Sequence, residues 1–179
     1  MSDRLVLDTT RDELTKIKRL ADRAIAQLDD AALHARLDPD GNSVAILMRH
    51  LAGNMRSRWT DFLTADGEKP DRHRDQEFEP AAGDRAALLE EWEAGWQCVF
   101  DALVPLTDAD LTRTVLIRAE PHTVCQALTR QLAHYAGHAY QIVLLAKHFA
   151  GPGWTTLSIP RGQSEAFNRR LLADRRTQS

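Results

Sequence analysis

The chain has 179 residues, 43% of them apolar and 27% charged, with a net charge of −3. That length can bury a full core without disulfides, and the balance is that of one globular domain, expected over residues 1–179. The small net charge without a basic block excludes a nucleic-acid footprint. No uncharged apolar run nears the ~18 residues of a membrane span, and the opening MSDRLVL lacks a secretory signal, so a cytoplasmic protein is expected.

Four long helices are predicted in chain order. The first opens at Thr10-Arg-Asp-Glu13, a capping-box pattern, and carries Leu14, Ile17, Ala21, Ile25 and Leu28 at helical spacing. It gives way to the turn-rich stretch Asp38-Pro-Asp-Gly-Asn-Ser43, where Asn42 or Ser43 can cap the second helix. The second carries Val44, Leu47, Met48, Leu51, Met55, Trp59 and Phe62. Residues 65–83 hold Gly67, Pro70, Pro80 and Gly83 and read as a long polar connection. Asp84 caps the third helix, whose stripe is Leu88, Leu89, Trp92, Trp96, Val99 and Leu103. Thr114 to Ile117 have β-type side chains and predict a short extended hairpin. Thr123 caps the fourth helix, which runs to about Ala150 and stops at Gly151-Pro-Gly153. A short helical pattern over Ser164 to Arg175 closes a C-terminal strap of residues 151–179.

These elements imply an all-α four-helix bundle. Helices of this length are about 30 Å long. The connection between the second and third, some eighteen residues, can stretch about 60 Å. It can therefore cross the whole bundle, so the two helices it joins can run parallel.

His134 and His138 stand four apart in RQLAHYAGHAYQIVLL, on one face of the fourth helix. Imidazoles at that spacing can share one ion at about 2.0–2.1 Å, or can be hydrogen-bonded core or exposed residues. By helical phase His138 falls within the buried face and His134 at its edge. A zinc-like ion wants a third protein ligand. His50, in LMRHLAGN, is the best candidate, flanking its own stripe by roughly 120°. His34, His73 and His122 fall in loops or at helix ends, and His148 suits the helix C-terminus. Tyr135 stands where the zinc-protease motif needs glutamate, which disfavours that mechanism.

NSVAILMRHLAGNMRSRW, IRAEPHTVCQALTRQLAHYAGHAYQIVLLAK and WTTLSIPRGQSEAFN together resemble the DinB-like (YfiT-like) superfamily of four-helix bundles. The match is to a subgroup of small bacterial proteins of unknown function and covers roughly residues 10–170. The resemblance rests on His-Leu-x-Gly-Asn followed by His-x-x-x-His. It implies an up-down-down-up bundle and a divalent metal, zinc or nickel, held by His50, His134 and His138. It also implies a homodimer. Some members of the superfamily are thiol-dependent transferases or isomerases using a low-molecular-weight thiol such as bacillithiol or mycothiol; others are metal-dependent hydrolases.

Three neutral imidazoles leave the charge of an ion uncompensated, so its open position favours an anion: hydroxide for hydrolysis, or a thiolate for transfer to a small electrophilic substrate. The thiol S-transferase is the first reading. A hydrolase and a non-catalytic, metal-stabilised dimeric interaction or stress-response module are the alternatives, and the catalytic residues are open. Asn54, Gln131 and Gln141 are candidates to orient ligands, against ordinary hydrogen bonds. Arg56 and Arg58 could attract an anion, against plain solvation. Cys98 and Cys125 read as ordinary reduced cysteines, and SIPRGQSEAF as a segment that closes over the bundle or simply packs.

Overall fold

The computed structural model describes residues 4–80 and 84–177, with only the backbone for the last four. Gly83 of the expected connection, the Met1–Asp3 start and the end of the strap lie outside the described residues. The chain is mostly helical, with one small two-stranded sheet. The long helices are α1 (Leu5–Ile25), α3 (Val44–Trp59), α4 (Arg85–Leu103) and α5 (Val124–Ala150). The shorter ones are α2 (Asp30–His34) and α6 (Ser164–Thr177). Strands β1 (Thr114–Ile117) and β2 (Glu120–Thr123) pair antiparallel, Thr114 opposite Thr123.

Helix α1 starts at Leu5, about one and a half turns before the expected Thr10. The cap comes from a distant residue: the Asp108 carboxylate accepts the backbone N–H groups of Val6 and Leu7 at 3.0 and 3.2 Å. The Thr10 hydroxyl donates back to the Val6 carbonyl, inside the helix. The other caps fall where the sequence places them. The side chains of Ser43, Asp84 and Thr123 accept from the third residue beyond, and Gln126 returns a bond to Thr123. Gly151 ends α5 with φ 52°, a left-handed conformation that costs glycine little.

The core is continuous. Leu14, Ala21 and Ile25 of α1 join Trp92, Trp96 and Val99 of α4 and Val124, Tyr135 and Ile142 of α5. Helix α1 packs on α5 and α3 on α4, with further contacts of α3 to α5. Gly95 lets α3 and α4 approach closely: a Cβ there would stand 2.9 Å from the Ala52 Cα.

Helix α3 departs from the single apolar stripe expected of it. All its residues but Arg49 and Arg56 are buried. The cover on its polar flank is the connection after it, which contains a turn of 3₁₀ helix at Arg74–Phe78 packed on α3. The connection is fastened to the hairpin as well. Gly67 donates to the Leu116 carbonyl, and Asp66 accepts the N–H groups of Arg118 and Ala119 at the turn. At the other end of the chain, Thr155 exchanges hydrogen bonds with Gln27, just after α1, and Arg23 of α1 donates to the Leu157 carbonyl. Beyond these residues α6 presents exposed Leu171 and Leu172. Among the described residues no helix is long and apolar enough to cross a membrane.

Candidate metal centre

His50 lies one turn and a half into α3, where the cover from Arg74–Phe78 buries it to 5% exposure. The helical phase alone places this ring beside the core, and only the returning connection turns that flank into an interior. His134 and His138 are half-buried on α5, so His138 is less enclosed than its phase implies. The three rings converge. Their centroids are 5.5 Å (His50–His134), 5.1 Å (His50–His138) and 4.7 Å (His134–His138) apart. One nitrogen from each lies within 4.8 Å of the others.

The hydrogen bonds decide which nitrogens face inward. His50 Nδ1 donates to Glu77 Oε2 at 2.9 Å, and His138 Nδ1 donates to Gln141 Oε1 at 2.7 Å. An imidazole that donates from one nitrogen in its neutral form offers a lone pair at the other. His138 Nε2 meets His134 Nε2 at 3.1 Å, while His134 Nδ1 is buried without a partner. Whichever nitrogen of His134 carries its proton, the pair alone leaves one buried polar atom unsatisfied. A zinc-like ion with bonds of about 2.0–2.1 Å separates tetrahedral neighbours by roughly 3.3 Å, so the Nε2 pair has the spacing of two ligands of one cation. The donor set therefore fits a divalent metal.

Protonation favours the same chemistry. Burial, then the neighbouring His138 and His50, push His134 down to about 3. Burial also lowers His138, against the opposing hydrogen bond to Gln141. Both rings are neutral near pH 7, the state a metal ligand requires. Burial alone would raise the Glu77 carboxyl. The hydrogen bonds from His50 and Arg72 and the charge of Arg72 outweigh it, and Glu77 stays below the usual carboxylate range.

Arg72 grips that carboxylate with two bonds, Nε to Oε1 at 2.8 Å and Nη2 to Oε2 at 2.9 Å. On the far side of this pair, a cleft of about 640 Å³ is lined by Arg49, Arg56, Ser57, Lys69, Arg72 and Glu77, among others. It has the size of a small-molecule site and mixed charge.

Other residues singled out in the sequence fall elsewhere. Gln131 does not serve His134: its Nε2 donates to Asn54 Oδ1 at 2.7 Å and to the Tyr135 hydroxyl at 2.8 Å. Tyr135 donates to Asn54 Oδ1 at 3.2 Å and accepts from Trp59 Nε1 at 2.9 Å, which makes it the hub of a buried polar cluster. Arg58 is buried, not solvated, and pairs with Glu68. Arg56 is exposed at the cleft. Cys98 is half-buried and Cys125 exposed, both free thiols.

Sequence reasoning missed Glu77, Arg72 and Phe78, whose ring lies 4.7 Å from that of His50. The signal was Gly53, three residues after His50 in a helix interior, where glycine costs about 1 kcal/mol against alanine and so asks for a packing reason. A Cβ at Gly53 would collide with Glu77 Oε1 and stand 2.9 Å from the Glu77 carboxyl carbon.

The chain belongs to the family described as "Protein of unknown function (DUF1572)". The family profile matches residues 2–163, which takes in all three histidines and Glu77. No curated protein matches the chain. The family description names no reaction, so the reading of function comes from the site.

Proposed function

We propose that this chain is a single DinB-like domain, an up-down-down-up bundle of α1, α3, α4 and α5, that binds one divalent cation, zinc or nickel, through His50, His134 and His138. The observation that carries this reading is the 3.1 Å approach of His134 Nε2 to His138 Nε2 beside the inward-facing ring of His50. When bound, the cation would hold a low-molecular-weight thiol in its ionised, nucleophilic form for transfer to an electrophilic carbon, or in the hydrolase alternative would ionise water near neutral pH. The chain's own part is to present three imidazole rings from two helices.

The non-catalytic alternative, a metal-stabilised homodimer, draws on Tyr140 and Leu144, which stand 65% and 64% exposed one turn apart on α5. Light scattering of the metal-loaded protein separates it: a monomer removes the dimer from the reading.

The main test is metal analysis of untagged protein beside His134→Ala and His50→Ala. One equivalent of metal in the wild type, lost in both variants, is expected; undiminished metal in the variants would end the three-histidine reading. Adding thiols to the cobalt-substituted protein then tests the transferase. A thiol-induced change in the visible spectrum and turnover with an electrophilic acceptor support it, and silence in both leaves the hydrolase and the non-catalytic module.

A further inference from the structure

The three rings of the site are held in three different ways. His50 donates to a carboxylate, His138 to a neutral amide oxygen, and His134 Nδ1 to no partner. The carboxylate is the one that has cost the fold most to place. Glu77 is buried, and burying a charge is expensive unless it is fully paired. Arg72 pairs it with two bonds, from a guanidinium whose side chain is only 5% exposed. Gly53 gives up a side chain so that the carboxylate can lie against α3. Arg49 of α3 donates to the carbonyls of Gln76 and Glu79 at 3.2 and 3.3 Å, tying down both flanks of the residue. Phe78 closes over the His50 ring at 4.7 Å. A hydrophobic residue would cover this flank of α3 at lower cost. The arrangement therefore calls for something that only an anion at Nδ1 provides.

A carboxylate accepting from Nδ1–H fixes one tautomer, with the Nε2 lone pair free, and makes that lone pair more basic. From this we infer that Glu77 is a positioning residue of the cation site. It locks His50 as the Nδ1–H tautomer with Nε2 turned to His134 and His138, and Arg72 and Gly53 keep Glu77 in register. This rests on the three-histidine reading above.

The test uses the full chain, as wild type, Glu77→Gln and His134→Ala, with two readouts. Histidine-ring nitrogen shifts in the metal-free protein report the tautomer of His50. Cobalt titration followed by its visible spectrum reports the site. Expected for Glu77→Gln are a mixed tautomer at His50, cobalt binding weakened about 10- to 100-fold and an altered cobalt spectrum, with helical circular dichroism retained. An unchanged tautomer, or wild-type cobalt affinity and spectrum, would reduce Glu77 to a structural ion pair and overturn the inference. Failure of the underlying reading looks different: the wild type fails to bind cobalt, or His134→Ala binds it as well as the wild type. Should Glu77→Gln unfold, Arg72→Gln keeps the carboxylate and removes its anchor. From that variant the same two signals should move by a smaller amount, and no movement in either would equally overturn the inference.

Discussion

Asp66 Oδ2 accepts the backbone N–H of Ala119 at 2.7 Å, while its Oδ1 accepts from Arg118 at 2.8 Å and from Glu68 at 2.7 Å. Arg118 and Ala119 form the two-residue turn of the hairpin, with φ 55° and 61°. Such turns favour asparagine and glycine, because other side chains crowd the backbone at positive φ. The carboxylate compensates by satisfying both turn amides with charge-assisted bonds.

The Asp66 carboxyl is accordingly held below its ordinary range, by the Glu68 N–H first, then Ala119 and Arg118. A depressed carboxylate contributes stability that is present above its unfolded pKa and lost as pH falls through the folded one. Thermal unfolding between pH 6 and pH 2 should show Asp66→Asn destabilised at pH 6, with the gap to wild type closing below about pH 4. Ala119→Gly should raise stability by roughly 0.5–1 kcal/mol by relieving the turn. A pH-independent gap, or a destabilising glycine, would remove the clamp from this account.

Tyr135→Phe leaves Trp59 Nε1 without its acceptor and takes one of the two from Gln131 Nε2, both in the interior. An unsatisfied buried donor costs about 1–3 kcal/mol. Urea unfolding should show a loss of that size, although phenylalanine keeps the ring contact with Trp96 at 5.7 Å. The metal content should be unchanged, because the hydroxyl belongs to the Asn54–Gln131 cluster.

Asp108→Ala should fray the first turn of α1 and cost about 1 kcal/mol, as loss of a helix cap does. Hydrogen exchange is the sharper measurement. Faster exchange confined to the amides of Val6, Leu7 and their neighbours is expected, and uniform acceleration over α1 would show that Asp108 holds more than the cap.

Removing metal should lower the melting temperature. A ligand that binds only the folded state, at 100 times its Kd, adds about 2.7 kcal/mol. The wild type should therefore melt several degrees lower with a chelator than with excess zinc, and His138→Ala should show no such difference. A shift that survives in His138→Ala would mean that the added zinc stabilises some other place.

The helices were legible because each carries local information. Ser43, Asp84, Thr123 and Gly151 mark their ends, and the apolar period marks the faces. The start of α1 was not, since its cap lies about a hundred residues away at Asp108. His134 and His138 could be paired from spacing; helical phase made His50 the best third candidate without settling it, and the resemblance joined it to them. The depth of His50 depends on Phe78 and Glu77, which return to α3 through a segment with no periodicity to follow. Gln131 was misplaced for a related reason: sequence distance puts it near His134, but the tertiary fold offers it Asn54 and Tyr135.

The enclosure of α3 also governs where this chain tolerates change. Fourteen of its sixteen residues are buried, and its two outward arginines line the cleft. A saturation library should find this helix nearly intolerant and α6, exposed along most of its described side chains, largely permissive. Tags, labels and fusions therefore belong at the α6 end of the molecule.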